Sequence, residues 1–314
     1  YVVIWHIFQH IVLALVLKGK YMSPQEAQTY CKKVTQESGS NFYYSFLFLP
    51  ADRRELMYTI YAFCREVDNA VDDPPGGSDP LEQVASWRKE VSEAYEGTPS
   101  FPVTISLAHH LKEVDIPQTY FQDLISGVEM DLTIKRYATF EDLYPYCYRV
   151  ASVVGLICLR VFGTRASEAK EYAENLGLAF QLTNILRDIS SDAAQDRIYV
   201  PQEDLQRFGY KESDLFASRH TPQFIEFMEF ECQRAREYYA KAQQILQTLP
   251  PVDRRSLIVA EIMRGVYSRI LDKIEANNYQ IFGPRVRLSS LKRLSIAGNI
   301  WLRSSLLGTS TQQA

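Results

Sequence analysis

The stretch Gln181–Pro201, QLTNILRDISSDAAQDRIYVP, constrains this chain more than any other. It reads as the last turns of a helix that exits into a loop. Asp188 and Asp192 stand four residues apart, so a helix presents both carboxylates on one face with Cβ atoms about 5–6 Å apart. Gln181 and Asn184 fall on the same face, one turn apart each. Like charges at this spacing cost a helix roughly 0.2–0.5 kcal/mol if nothing sits between them. A hard cation removes that repulsion, and Mg²⁺ prefers carboxylate and phosphate oxygens. One such pair alone is an ordinary solvated acidic face. The chain has a second: YAFCREVDNAVDD sets Asp68 and Asp72 four apart after another apolar helical run. Two unit charges 5 Å apart at an effective dielectric of ~20 repel by about 3 kcal/mol. Two helices presenting such pairs across one cavity therefore call for bound cations, and a diphosphate bridged by Mg²⁺ satisfies both.

The rest of the chain reads as helix. Ser23 and Pro24 start one that runs to about Glu37. Pro50 opens the first long helix, with Ile60, Phe63, Val67 and Val71 on one face and Tyr61, Arg65, Asp68 and Asp72 on the adjacent line. Pro74-Pro75-Gly76-Gly77 ends it. Asp79-Pro80 caps a helix to Gly97, and two more follow near Thr104–Val114 and Pro117–Leu132. Thr139 and Asp142 form a capping signal for Phe140–Phe162, with Gly163 at its C-terminus and Pro145 expected to distort it. The second aspartate helix covers about Ser167–Asp192. Others cover Gln202–Phe208, Pro222–Leu246 and Val252–Asn278. No stretch alternates as a strand bounded by hairpin turns. The expectation is an all-α fold, a single domain with ample apolar content at 46% of 314 residues.

A net charge of −4 argues against non-specific nucleic-acid binding. Five cysteines without a CxxC spacing fit a reduced, cytoplasmic protein. Five histidines without a Glu-x-x-His pair leave a di-iron bundle unsupported.

The segments Asp68-Asn-Ala-Val-Asp72 and Asn184-Ile-Leu-Arg187-Asp188-Ile-Ser-Ser-Asp192 resemble the two aspartate motifs of the squalene/phytoene synthase family, over about Ser23–Arg287. The resemblance implies a helical bundle of the isoprenoid-synthase type around a central apolar cavity, and an Mg²⁺-dependent prenyltransferase. Asp68, Asp72, Asp188 and Asp192 match its metal-binding aspartates, with Asn184 a further ligand. Arg65, Arg187 and Arg197 match diphosphate contacts, and Tyr146 matches a tyrosine implicated in proton transfer. Gln181 matches a cavity residue beside the second motif. Val150, Ala151, Val154 and Gly155 match the helix lining the prenyl tunnel. Phe42, Tyr61 and Tyr267 are aromatic faces suited to a carbocation, as are Phe46 and Phe180. Many relatives carry a basic residue in the flap that here reads Ser38-Gly39-Ser40-Asn41, where Ser40 is the candidate substrate contact.

The aromatic segment SNFYYSFLFLP looks most like the presqualene-forming members of hopanoid pathways. The expected reaction is therefore head-to-head condensation of two farnesyl diphosphates to presqualene diphosphate. The rivals are phytoene formation from geranylgeranyl diphosphate, squalene formation with NADPH, and a non-enzymatic scaffold of the same fold. No Gly-rich dinucleotide fingerprint supports NADPH, and all four aspartates speak against a scaffold. Residues 1–21 read as an apolar extension outside the core, 22–284 as the catalytic domain, and 285–314 as a basic amphipathic tail suited to peripheral contact with the inner face of the cell membrane. Downstream enzymes of a squalene pathway are the partners this reading implies.

Overall fold

Local sequence signals explain where the helices begin and end. The structure, a computed structural model, describes residues 22–39 and 42–309. The apolar stretch 1–21 and Ser40 lie outside the described residues. Helix α1 (Pro24–Glu37) starts at Ser23, whose hydroxyl accepts from the Glu26 amide while the Glu26 carboxylate accepts from the Ser23 amide at 2.8 Å. A short α2 (Tyr43–Phe46) leads into α3 (Ala51–Asp72). Then come α4 (Pro80–Glu96), capped by Asp79 and closed by Gly97 at φ 88°, α5 (Pro102–His110) and α6 (Gln118–Thr133). Helix α7 (Phe140–Cys147) begins at a Thr139–Asp142 capping box and runs through Pro145 into a π-helical turn, Tyr148–Ser152. It continues as α8 (Val153–Phe162), closed by Gly163 at φ 72°. Helix α9 (Ala169–Ala194) carries the second aspartate pair. The short α10 (Gln202–Arg207) and α11 (Glu212–Phe216) precede α12 (Pro222–Thr248), α13 (Pro251–Ser256), α14 (Ile258–Ala276) and α15 (Ser290–Thr309). Among the described residues no strand forms; Arg136 and Ile198 make an isolated parallel bridge.

Two expectations are corrected. The helix read over Val252–Asn278 breaks at Leu257, and the break sets that fully buried side chain into the wall of the central cavity. Pro145 leaves the helix start in place, and the distortion falls in the π turn that follows.

The π turn is where neighbouring backbones come closest. A Cβ on Gly127 of α6 would stand 2.7 Å from Arg149 Cβ, and one on Gly177 of α9 would stand 2.6 Å from Ser152 Cα. Glycine at these two positions lets α6 and α9 close on the turn that carries Val150 and Ala151. Phe140–Phe162 is long and apolar enough to cross a bilayer, but half of its residues are buried inside this bundle.

The buried face of α3 anchors the first aspartate pair. Ile60, Phe63, Val67 and Val71 are buried, and Phe63 meets Trp87 of α4 and Phe121 of α6 edge-on, at 5.6 and 5.1 Å between centroids. Removing a ring like Phe63 costs about 3–5 kcal/mol. With that face fixed, Tyr61, Arg65 and Asp68 are turned toward the cavity.

Candidate active site

Helices α3, α8, α9 and α14, with the π turn and the segment after α14, enclose a cavity of roughly 650 Å³. It runs along α9 from the aspartate end at Asn184 and Arg187 to Tyr172, so Asp188 and Tyr172 are separated by about 24 Å at 1.5 Å per residue. Of the residues singled out in the sequence, Tyr61, Arg65, Asp68, Phe42, Val150, Ala151, Val154, Gly155, Gln181, Asn184, Arg187 and Tyr267 line it. At the far end stand Met57, Phe162, Tyr172 and Leu257, from four separate elements. The Tyr267 ring stacks on Phe42 at 5.4 Å and meets Phe180 at 4.7 Å, so one wall is a continuous aromatic surface.

Asp72, Asp188, Asp192, Arg197 and Tyr146 are not part of that lining; the helix spacing sets the three carboxylates beyond the cavity's polar end. Arg187 donates from Nε to Asp188 Oδ1 at 2.9 Å, and Arg285 Nε donates to the same oxygen at 2.7 Å. Against its burial, those hydrogen bonds hold the Asp188 carboxyl below its ordinary range. Arg197, from the loop after α9, reaches Asp72 at 2.6 Å and so ties the two aspartate helices together. Among the described residues neither Asp68 nor Asp192 has an ion-pair partner. Desolvation within the cleft, then the charge of Asp72, pushes Asp68 up to about 7. Burial, then Asp188, pushes Asp192 up to about 7.

Asp131 was not anticipated. It lies on α6, almost fully buried, and accepts from the Tyr146 hydroxyl at 3.2 Å and the Tyr199 hydroxyl at 2.7 Å. Burial raises its pKa, partly offset by Tyr199, and its charge bears on both Asp68 and Asp192. Tyr146 stacks on Tyr199 at 4.9 Å, and burial and Asp131 hold its phenol well above the ordinary range. A sequence signal for Asp131 exists: it falls in register with Phe121, Leu124, Ile125 and Val128, an acid on an otherwise apolar stripe. Arg285 was read as the start of a tail, whereas Arg285, Val286, Arg287 and Leu288 line the cavity.

The donor set suits a hard cation. Asp68, Asp72, Asp188, Asp192 and Asn184 offer only oxygen ligands besides the Asn184 amide nitrogen. Asn184 Oδ1 is buried and accepts no hydrogen bond among the described residues. No three acidic, His or Cys side chains converge on one point among the described residues.

A helical bundle closing an apolar cavity beneath two carboxylate-bearing helices defines the all-α isoprenoid-synthase class. A sequence profile for squalene/phytoene synthases matches residues 35–292, and the chain belongs to that family. It is 35% identical over 297 residues to 15-cis-phytoene synthase of Synechococcus elongatus, covering 91% of this chain and 96% of the relative. Phytoene synthase of Arthrospira platensis is 36% identical over 290 residues, with 88% and 93% covered. Among solved structures, a dehydrosqualene synthase superposes with a TM-score of 0.79 at 26% identity, covering 90% of this chain and 98% of the other. Squalene synthase HpnC from Alicyclobacillus acidocaldarius gives 0.74 at 29% identity, with 82% and 95% covered. These relatives overturn the expected reaction. Formation of presqualene diphosphate from farnesyl diphosphate, and with it the hopanoid assignment, gives way, because four curated relatives at 33–36% identity over most of this chain are phytoene synthases.

Proposed function

We propose that this protein is a phytoene synthase that joins two geranylgeranyl diphosphates head to head. The observation that carries the reading is the 33–36% identity to phytoene synthases over most of both chains, set beside 29% or less to the solved squalene-type enzymes. The reaction balances without a reductant: two C20 diphosphates lose two diphosphates and two protons in all, leaving a C40 hydrocarbon.

In this reading the residues divide the work. Asp68 and Asp192, with Asn184 Oδ1, are the oxygens that would hold Mg²⁺ at the polar end, where its charge would offset that of the departing diphosphate. Arg65, Arg187, Arg197 and Arg285 offer forked donors to phosphate oxygens. Phe42, Tyr61, Phe180 and Tyr267 turn aromatic faces toward a developing allylic cation. Val150, Ala151, Val154 and Gly155 exclude water around the prenyl chain. The Tyr146 hydroxyl, oriented by Asp131, is the candidate for moving a proton. The reaction is tested by incubating purified protein with geranylgeranyl diphosphate and Mg²⁺, without NADPH. Phytoene that disappears on chelation supports the reading; release of diphosphate without a C40 hydrocarbon refutes it.

A further inference from the structure

Helix α9 ends in a turn that two site residues share. The Asp196 amide returns to the Ala193 carbonyl at 2.9 Å, and the Arg197 amide returns to the Asp192 carbonyl at 2.9 Å. This pair of bonds closes a helix when the residue just past its end is left-handed, and Asp196 has φ 59°. Glycine ordinarily takes that place, because a Cβ crowds the backbone there; aspartate is among the few residues that tolerate it. The grip on this turn comes from another part of the chain. Arg136, in the extended segment after α6, donates from Nη1 to the Asp196 carbonyl at 2.6 Å and from Nη2 to the Asp196 carboxylate at 2.7 Å. Nη1 also donates to the Lys135 carbonyl at 2.8 Å. From the other side, Nε donates to the Glu212 carboxylate of α11 at 3.1 Å, and the Phe216 ring lies 5.8 Å from the guanidinium carbon. The two backbones are joined as well: the Ile198 amide donates to the Lys135 carbonyl at 3.0 Å and the Gln202 amide to the Tyr137 carbonyl at 2.9 Å.

A guanidinium has its donors fixed in one plane, so these acceptors together allow it a single orientation that a lysine could not copy. Arg136 does not line the cavity. Its effect passes through the turn to Arg197, which reaches Asp72 across the helices, and to the last turn of α9, which carries Asp192. We propose that Arg136 is a positioning residue for the polar end of the site: it sustains the left-handed turn at Asp196 and so aims Arg197. The proposal rests on the reading of Arg197 as a donor to phosphate oxygens, and goes beyond it by tracing the aim of that donor to a residue outside the cavity.

Arg136→Gln, Arg197→Gln and the double variant of the full chain are compared with the parent in two measurements. One is turnover of geranylgeranyl diphosphate; the other is calorimetric binding of inorganic diphosphate with Mg²⁺, which does not depend on the prenyl chain. Arg136→Gln is expected to lower kcat and weaken diphosphate binding by about tenfold or more each. The double variant should lie within about twofold of Arg197→Gln alone in both measurements, because the two arginines act as one unit. Asp196→Ala should lower both quantities too. Asp196→Asn keeps an oxygen acceptor and tolerates the left-handed region, so it should keep most of the activity. Losses that multiply in the double variant would overturn the proposal. So would an Arg136→Gln protein that melts at a lower temperature yet turns over and binds diphosphate like the parent. Undiminished diphosphate binding by Arg197→Gln would refute the reading of Arg197 and the proposal with it, whereas an impaired Arg197→Gln beside an unimpaired Arg136→Gln would refute the proposal alone. A thermal melt checks that each variant folds. Should Arg136→Gln not fold, the same cycle built from Asp196→Ala and Arg197→Gln decides in its place.

Discussion

On α3 the outer carboxylate, Asp72, is the one an arginine holds; on α9 it is the inner one, Asp188. Each helix thus leaves one carboxylate unpaired among the described residues, Asp68 on one and Asp192 on the other, and both are raised to about 7. Two motifs that look alike in sequence therefore carry different loads. The arginine-held members fix the frame, Arg197 across the helices and Arg187 with Arg285 along the cavity's edge. The unpaired members keep the repulsion that a cation would relieve.

The widest gap between the two kinds should appear in turnover. Asp68→Asn and Asp192→Asn are expected to lower product formation by roughly two orders of magnitude or more, since each removes a charge that would hold the cation beside the leaving group. Their melting temperatures without substrate should stay level or rise, because the charge removed is one that repels its neighbours. A folded Asp68→Asn protein that keeps most of its activity would break the assignment.

Stability should separate the held members from each other. Asp188→Asn leaves the buried Arg187 guanidinium uncompensated and is expected to cost about 3 kcal/mol in urea unfolding. Asp72→Asn breaks a pair whose carboxylate is half exposed and should cost about 1 kcal/mol or less. Equal midpoints for the two variants would contradict the distinction.

A titration remote from the aspartates sharpens the comparison by supplying its background. Burial, reinforced by His109, lowers His110 on α5 to about 4. The imidazole stays neutral in the fold while the unfolded chain takes up its proton below about 6.5, so stability is full above that pH and falls toward pH 4. The loss is about 2 kcal/mol by pH 5, and His110→Gln should flatten that slope in urea midpoints measured at pH 7 and 5. Asp68 and Asp192 have the opposite sign: their raised values favour the fold on acidification, and that contribution is lost as pH rises toward 7.

What could be read from sequence follows from locality. The faces of α3 and α9, the caps at Ser23, Asp79 and Thr139, and the stop at Gly163 all depend on residues within a turn or two of one another. Asp131 was legible only as an acid on an apolar stripe, and its tyrosine partners come from 15 and 68 residues away. Arg285 is 97 residues from the Asp188 it holds. The reaction expected from the aromatic segment around Phe42 and Phe46 was corrected by the phytoene-synthase relatives and not by the cavity. That segment lines the cavity together with Met57, Phe162, Tyr172 and Leu257, which come from distant parts of the chain.

The central claim is the C20 substrate. Purified protein given equimolar geranylgeranyl and farnesyl diphosphates with Mg²⁺ should form phytoene in at least about tenfold excess over any C30 or C35 product, a preference of about 1.4 kcal/mol in the competing barriers. A C30 product in excess, with or without NADPH, would contradict it.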